Sequence, residues 1–293
     1  MSVLTEDRDG VLVITIDRAH AANALDAAAG QGLVDALERT SADDAVRVVV
    51  ITGAGERVFS SGMDLRAYAR GEDLHPVDRG LRLMGECPKP VIAAVNGSAL
   101  GGGFELMLTT DLVVAADHAR FGLPEVTRGL LAAGGGTRLP RRIPLQVALE
   151  MGLTGQPISA DRALQLGLIN RVVAGHEVLD TALGLAAVIA ANGPRAVQVT
   201  KRMIARRTGR HRRGAAARRG PGPAGERGRQ GRRRRVRRTS PAALDGPLTG
   251  RADVPVVDCV AGPVGRYHPP GDPGVPAPLR SSDPPGVRLH RVR

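Results

Sequence analysis

The chain has 293 residues, 42% of them hydrophobic, which is enough to bury the core of one large domain or two small ones. Its net charge of +12 is unevenly placed: residues 1–205 carry 20 Lys and Arg against 23 Asp and Glu, whereas residues 206–293 carry 21 Arg against 6 acids. No apolar run reaches the roughly 18 residues that a membrane span needs, and the polar start MSVLTEDRDG is unlike a signal peptide, so the sequence predicts a cytoplasmic protein with no membrane partner.

In chain order, VLVITI (11–16) reads as a strand, a helix follows from Asp26 to Arg39, and VRVVVI (46–51), VIAAV (91–95) and LVVAA (112–116) read as further strands. This alternation predicts an α/β domain with right-handed crossovers. The runs VRVVVITG and VIAAVNG each end in a glycine-bearing turn, the place where such folds put ligand contacts. Further on, SADRALQLGLINRVV predicts a helix capped by Ser159 and closed by Gly167. Helices over 177–191 and 194–205 follow, the second opening on Pro194.

Composition changes sharply after residue 205. Residues 206–293 hold 13 of the 21 prolines and no Lys, Phe, Met or Asn, so they are predicted to form a disordered, low-complexity basic tail behind a folded domain of residues 1–205. Cys87 and Cys259 lie on opposite sides of this break without metal-type spacing and read as unrelated thiols; no metal site is indicated.

Two segments carry chemistry. In FSSGMDL (59–65), Gly62 permits a backbone geometry closed to other residues and can turn the Met63 amide toward a ligand. In NGSALGGGFEL (96–106), three glycines precede an apolar helix, whose start presents unpaired N–H groups to an oxygen that gains negative charge. Glu105 lies in the apolar string FELMLTT and Glu125 in FGLPEVTRGL; carboxyl groups in such settings can hold different protonation states and so divide acid from base work. Each feature also has a plainer reading: GGG as a tight turn, Glu105 as a buried ion-pair partner, Asp64 as a helix cap. Asp111, Asp117 and His118 read as solvated strand-end residues, and His20 and His75 as loop residues without a catalytic role.

Taken together, FSSGMDL, AAVNGSALGGGFELMLTTDLVVAADHARFGLPEVTRGLLAAGGGTRLPR (93–141) and LTGQPISADRALQLGLINRVV (153–173) resemble the crotonase (enoyl-CoA hydratase/isomerase) superfamily over residues 1–205. The resemblance implies a spiral of ββα units, trimers or dimers of trimers, and no cofactor, coenzyme A being part of the substrate. It implies that the Met63 and Gly102 amides hold the thioester oxygen, and that Glu105 and Glu125 are the catalytic carboxyl groups. Ala22, Ser61, Asp64, Leu65, Gly101 and Pro124 fall where family members line the acyl-CoA path, and Arg66 either pairs with the coenzyme's phosphates or is a solvated surface residue. With both glutamates present, the implied activity is an enoyl-CoA hydratase of fatty-acid β-oxidation. The alternatives are a carnitinyl-CoA-like dehydratase, an enoyl-CoA isomerase or an impaired pseudoenzyme.

The resemblance stops near Arg206. Reading bases two and three of each codon with base one of the next, from Glu226, the genetic code permits SEDAREGAAAFAERRPPRWTGR and then a stop at the junction of Leu248 and Thr249. That string is similar to the family's usual ending. The tail therefore reads as the product of a one-base frameshift between codons 205 and 226, which removes the family's assembly helices. The competing reading is a nucleic-acid-binding arm, motivated by GRRRRVRR alone and lacking both aromatic interleaving and a folded reader module.

Overall fold

The computed structural model describes residues 2–134 and 138–207. The tail beyond Arg207, with its expected disorder, its shifted frame and Cys259, lies outside the described residues.

Within the described residues ten strands form two sheets. The larger runs β1 (Val3–Arg8), β2 (Val11–Ile16), β3 (Val48–Gly53), β5 (Val91–Val95), β7 (Leu112–Ala116), β10 (Arg171–Val173), parallel except for the β1–β2 hairpin. The smaller runs β4 (Val58–Ser60), β6 (Ser98–Leu100), β8 (Arg120–Gly122), β9 (Ile158–Ser159). Each pair β3/β4, β5/β6 and β7/β8 gives its first strand to the large sheet and its second to the small one, so the chain spirals through ββ turns closed by helices. This is the mixed α/β crotonase-type architecture.

The central strands β2, β3 and β5 are buried along almost their whole length, which is why their sequences are unbroken apolar runs instead of alternating ones. Two glycines make the step from one sheet to the other possible. A Cβ on Gly53 would sit 2.3 Å from the Phe59 carbonyl oxygen, and one on Gly97 would sit 2.2 Å from the Arg57 carbonyl carbon. Only a residue without a side chain fits there.

The strand expected over 46–51 runs instead from Val48 to Gly53. Its register is fixed by β2, with Val11 opposite Val48 and Ile16 opposite Gly53, while Arg47 is taken up by the turn at Gly10, whose carbonyl accepts from its amide. Helix α1 (Ala27–Ala42) is capped by Asp26, whose side chain accepts from the Ala29 amide, and it runs three residues past Arg39. It packs on α3 (His75–Glu86) at close quarters, since a Cβ on Gly30 would lie 2.5 Å from the Val77 amide nitrogen. Helices α2 (Leu65–Ala69), α4 (Gly102–Thr109) and α5 (Leu145–Thr154) join the expected α6 (Ala160–Gln165), α7 (Val178–Ala190) and α8 (Pro194–Arg207). Ser159 caps α6 through the Arg162 amide, and Gly167 follows at φ +69°.

Asp111 corrects one sequence reading. It is not a solvated strand end: its carboxylate accepts from the Val91 amide at 2.9 Å and meets Lys201 Nζ at 2.5 Å, both side chains being largely buried. The pair ties α8 to the start of β5. Asp117 and His118 are exposed, as read, and bonded to one another.

Phe104 on α4 and Phe121 on β8 are fully buried with ring centroids 6.1 Å apart, and so fasten the helix that begins at the glycine run to the small sheet. Phe104→Ala is expected to destabilise the fold by about 3–5 kcal/mol in denaturant titration. A loss below about 1 kcal/mol would contradict this packing. Among the described residues no single helix is long and apolar enough to cross a membrane.

Candidate active site

The glycine run and the FSSGMDL segment meet. Gly62 has φ +89°, and a Cβ on it would fall 2.4 Å from the Gly102 amide nitrogen; a Cβ on Gly102 would lie 3.2 Å from the Met63 amide nitrogen. The two backbones therefore touch at the positions where sequence placed two donors. Gly102 opens α4 behind Gly101, which has φ +54°. First-turn amides have no acceptor within their own helix, and the first intrahelical bond of α4 runs from Glu105 to the Gly101 carbonyl. The Met63 amide is left out of pairing by its neighbours: Leu25 donates to the Gly62 carbonyl at 2.7 Å and accepts from Asp64 at 3.0 Å, flanking Met63 on both sides. Among the described residues neither amide has an acceptor.

Glu125 borders this point, and Glu105 stands on the helix that Gly102 opens. Glu105 projects from the first turn of α4, half-buried, and packs on the backbone of Gly134, where a Cβ would be 2.7 Å from its Oε2. Glu125 stands in the 3-10 turn Pro124–Arg128, half-buried, with Oε1 3.3 Å from where a Gly101 Cβ would sit. Its Oε2 is buried without a hydrogen-bond partner among the described residues. Burial pushes the Glu125 carboxyl above the usual carboxylate range, a backbone hydrogen bond opposes this, and the charge of Glu105 adds to the rise.

The other expected residues divide. The Ser61 carbonyl borders Gly101, with 3.6 Å to the position of its Cβ, and the Ser61 amide donates to the Ala22 carbonyl. Ala22 is in the left-handed region at φ 52°. Pro124 opens the turn that carries Glu125. Met63 and Leu65 are exposed apolar side chains, and Arg66 is an exposed cation next to Leu65 in the chain. Asp64 faces inward: its carboxylate accepts from the Arg66 and Ala67 amides and pairs with Arg18. Burial works against its charge, yet the Ala67 amide, Arg18 and the Arg66 amide together hold its carboxyl below the ordinary value. The helix-cap reading of Asp64 describes its contacts.

Three supporting residues escaped sequence reasoning. Asn23, fully buried at φ 51°, donates to the Ala54 and Val58 carbonyls and accepts from the Arg18 amide. Ser60 Oγ donates to the Asn23 carbonyl and accepts from the Gly62 amide. Arg18 bonds to Asp26, Asp64 and the Ala24 carbonyl. The one available signal was an Asn within the small-residue string AANAL, since Asn tolerates the left-handed region and satisfies backbone groups there.

A family model described as enoyl-CoA hydratase/isomerase matches residues 6–219. That match runs 14 residues past the boundary read from composition and ends inside the interval where the frame was read to shift. Carnitinyl-CoA dehydratase of Salmonella arizonae is 44% identical over 197 residues, covering 65% of this chain and 75% of that protein. Among solved structures, a carnitinyl-CoA dehydratase from Mycobacterium avium matches with TM-score 0.67 and 50% identity, over 69% of this chain and 82% of the other. An enoyl-CoA hydratase from Mycobacterium tuberculosis matches with TM-score 0.68 and 49% identity, over 71% and 83%.

Proposed function

We propose, from the premise that this chain belongs to the enoyl-CoA hydratase/isomerase family, that it is a hydro-lyase interconverting a 3-hydroxyacyl-CoA and its 2-enoyl-CoA. The observation that supports the reading is the approach of the Met63 and Gly102 backbones, whose amides have no acceptor among the described residues, beside the half-buried Glu125 and the helix that carries Glu105. In the hydration direction, Glu105 accepts a proton as water oxygen bonds to C3. The π electrons move toward the thioester oxygen, where the Met63 and Gly102 N–H groups stabilise the charge by about 3 kcal/mol each. Glu125 then supplies the proton that forms the C2–H bond. Dehydration is the same path reversed. The reaction runs on the carboxyl groups and amides alone, with coenzyme A entering as part of the substrate.

The sequence put a 2-enoyl-CoA hydratase first and a carnitinyl-CoA-like dehydratase second. The curated relatives at 43–44% identity carry the name carnitinyl-CoA dehydratase, which favours the second, while the Mycobacterium tuberculosis structure keeps the first in view. Both are one reaction on different acyl groups. Thioester absorbance with carnitinyl-CoA and with crotonyl-CoA separates them: faster turnover of carnitinyl-CoA is expected, and turnover of crotonyl-CoA alone would restore the hydratase reading.

The frameshift reading of the tail belongs to the same proposal. What supports it is the apolar surface on the last two described helices, where Val188, Val199, Met203 and Ile204 stand exposed. Shifting the frame by one base between codons 205 and 226 is expected to yield a trimer with higher specific activity than the chain as written, which should elute smaller on size-exclusion chromatography with light scattering. A trimer formed by the chain as written, equally active, would contradict this.

A further inference from the structure

Arg18 lies in the turn after β2, outside every motif that marked the site, yet its guanidinium reaches both the segment before α1 and the loop carrying one donor. Nη1 donates to the Ala24 carbonyl at 2.5 Å and to Asp64 Oδ2 at 3.1 Å; Nη2 meets the same oxygen at 3.1 Å and Asp26 Oδ2 at 2.9 Å. All three charged side chains are 12–16% exposed. Both carboxylates are helix caps, Asp26 for α1 and Asp64 for α2. The backbone of Arg18 is held as well, its amide by Asn23 Oδ1 and its carbonyl by the Asn23 amide.

The contacts join the Met63 loop to the segment bridged to it through Leu25. Ala24 precedes Leu25, whose amide and carbonyl bracket Met63 through Gly62 and Asp64; Asp64 is the next residue after Met63. A planar fork that binds a carbonyl on one strand and a carboxylate on the other fixes their spacing, and the Met63 N–H vector with it. Resting on the hydro-lyase reading above, we propose that Arg18 is a positioning residue for the Met63 oxyanion donor. It touches neither glutamate nor the Gly102 side of the hole, so its loss misaims one donor and leaves the proton-transfer groups in place.

The test uses Arg18→Gln and Arg18→Lys in the full chain, with three readouts: turnover, thermal midpoint, and the ultraviolet absorbance of acetoacetyl-CoA, whose bound enolate carries the charge that the donors stabilise. Arg18→Gln is expected to lower kcat by about 10–100-fold with KM little changed. It should also weaken the enolate band while butyryl-CoA, which forms no enolate, binds as before. Arg18→Lys keeps the charge without the fork, and should recover part of both signals. If Arg18→Gln does not fold, Arg18→Lys decides, and an enolate band equal to that of the parent overturns the proposal. So does a parallel fall of kcat, butyryl-CoA binding and thermal midpoint with the enolate band intact. A parent chain that binds acetoacetyl-CoA as enolate but hydrates no enoyl-CoA defeats the hydro-lyase reading, and the enolate comparison still judges Arg18.

Discussion

Replacing Glu125 by Gln is expected to lower turnover by about 10²–10⁴-fold without loss of stability. Glu125 Oε2 is buried without a hydrogen-bond partner among the described residues, and burial together with the Glu105 charge raises the carboxyl's proton affinity. A neutral amide of the same shape removes a group that the fold does not need as an anion, so the thermal midpoint should stay level or rise. The pH dependence follows from the same shift. With its pKa raised, Glu125 keeps its proton above the usual carboxylate range, so hydration should fall as pH rises through that value. Dehydration, which needs the Glu125 anion to take the C2 proton, should fall as pH drops through it. In Glu125→Gln these two limbs should disappear from the residual rate. Glu105→Gln should be comparably slow, and unchanged activity in both variants would remove the carboxyl groups from the chemistry.

Gly62→Ala is the second change expected to abolish function, and it touches no side chain of the site. The backbone there sits at φ +89°, and the new methyl would fall 2.4 Å from the Gly102 amide nitrogen. Neither segment can yield by flexing a side chain, because the atoms involved are main chain. The loops must separate, which parts the Met63 and Gly102 amides and costs on the order of 10²–10³-fold in kcat by analogy with loss of one oxyanion donor. Gly71→Ala makes a useful comparison, since that glycine also has positive φ (75°) but nothing within 4 Å of its Cβ position. It should show the backbone strain without the kinetic loss. Equal kinetics in the two variants would mean that the approach of Gly62 to Gly102 is incidental.

The strands visible in the sequence were those that carry a long apolar run, and they form the four inner strands of the large sheet, without its edges β1 and β10. The small sheet was invisible because β4, β6 and β8 have three residues each and β9 has two, too few for any period to show. Helix α3 was missed for a related reason: in HPVDRGLRLMGE only Val77, Gly80 and Met84 are buried, a narrow stripe in a charged segment. At the site, the glycines betrayed themselves because close backbone approach leaves no chemical alternative. Arg18, Asn23 and Ser60 left no such mark, since their partners lie up to 46 residues away and a lone polar residue in a loop looks the same whether it is solvated or organises a core. Asp111 was misread on that ground.

A structure of the Glu125→Gln chain with a 3-hydroxyacyl-CoA bound bears on all of this at once. The thioester oxygen is expected within about 3 Å of both the Met63 and Gly102 amide nitrogens, with the substrate's C2 and C3 between residues 105 and 125. A thioester oxygen lying against solvent or side chains, with either amide engaged elsewhere, would contradict the site proposed for this chain.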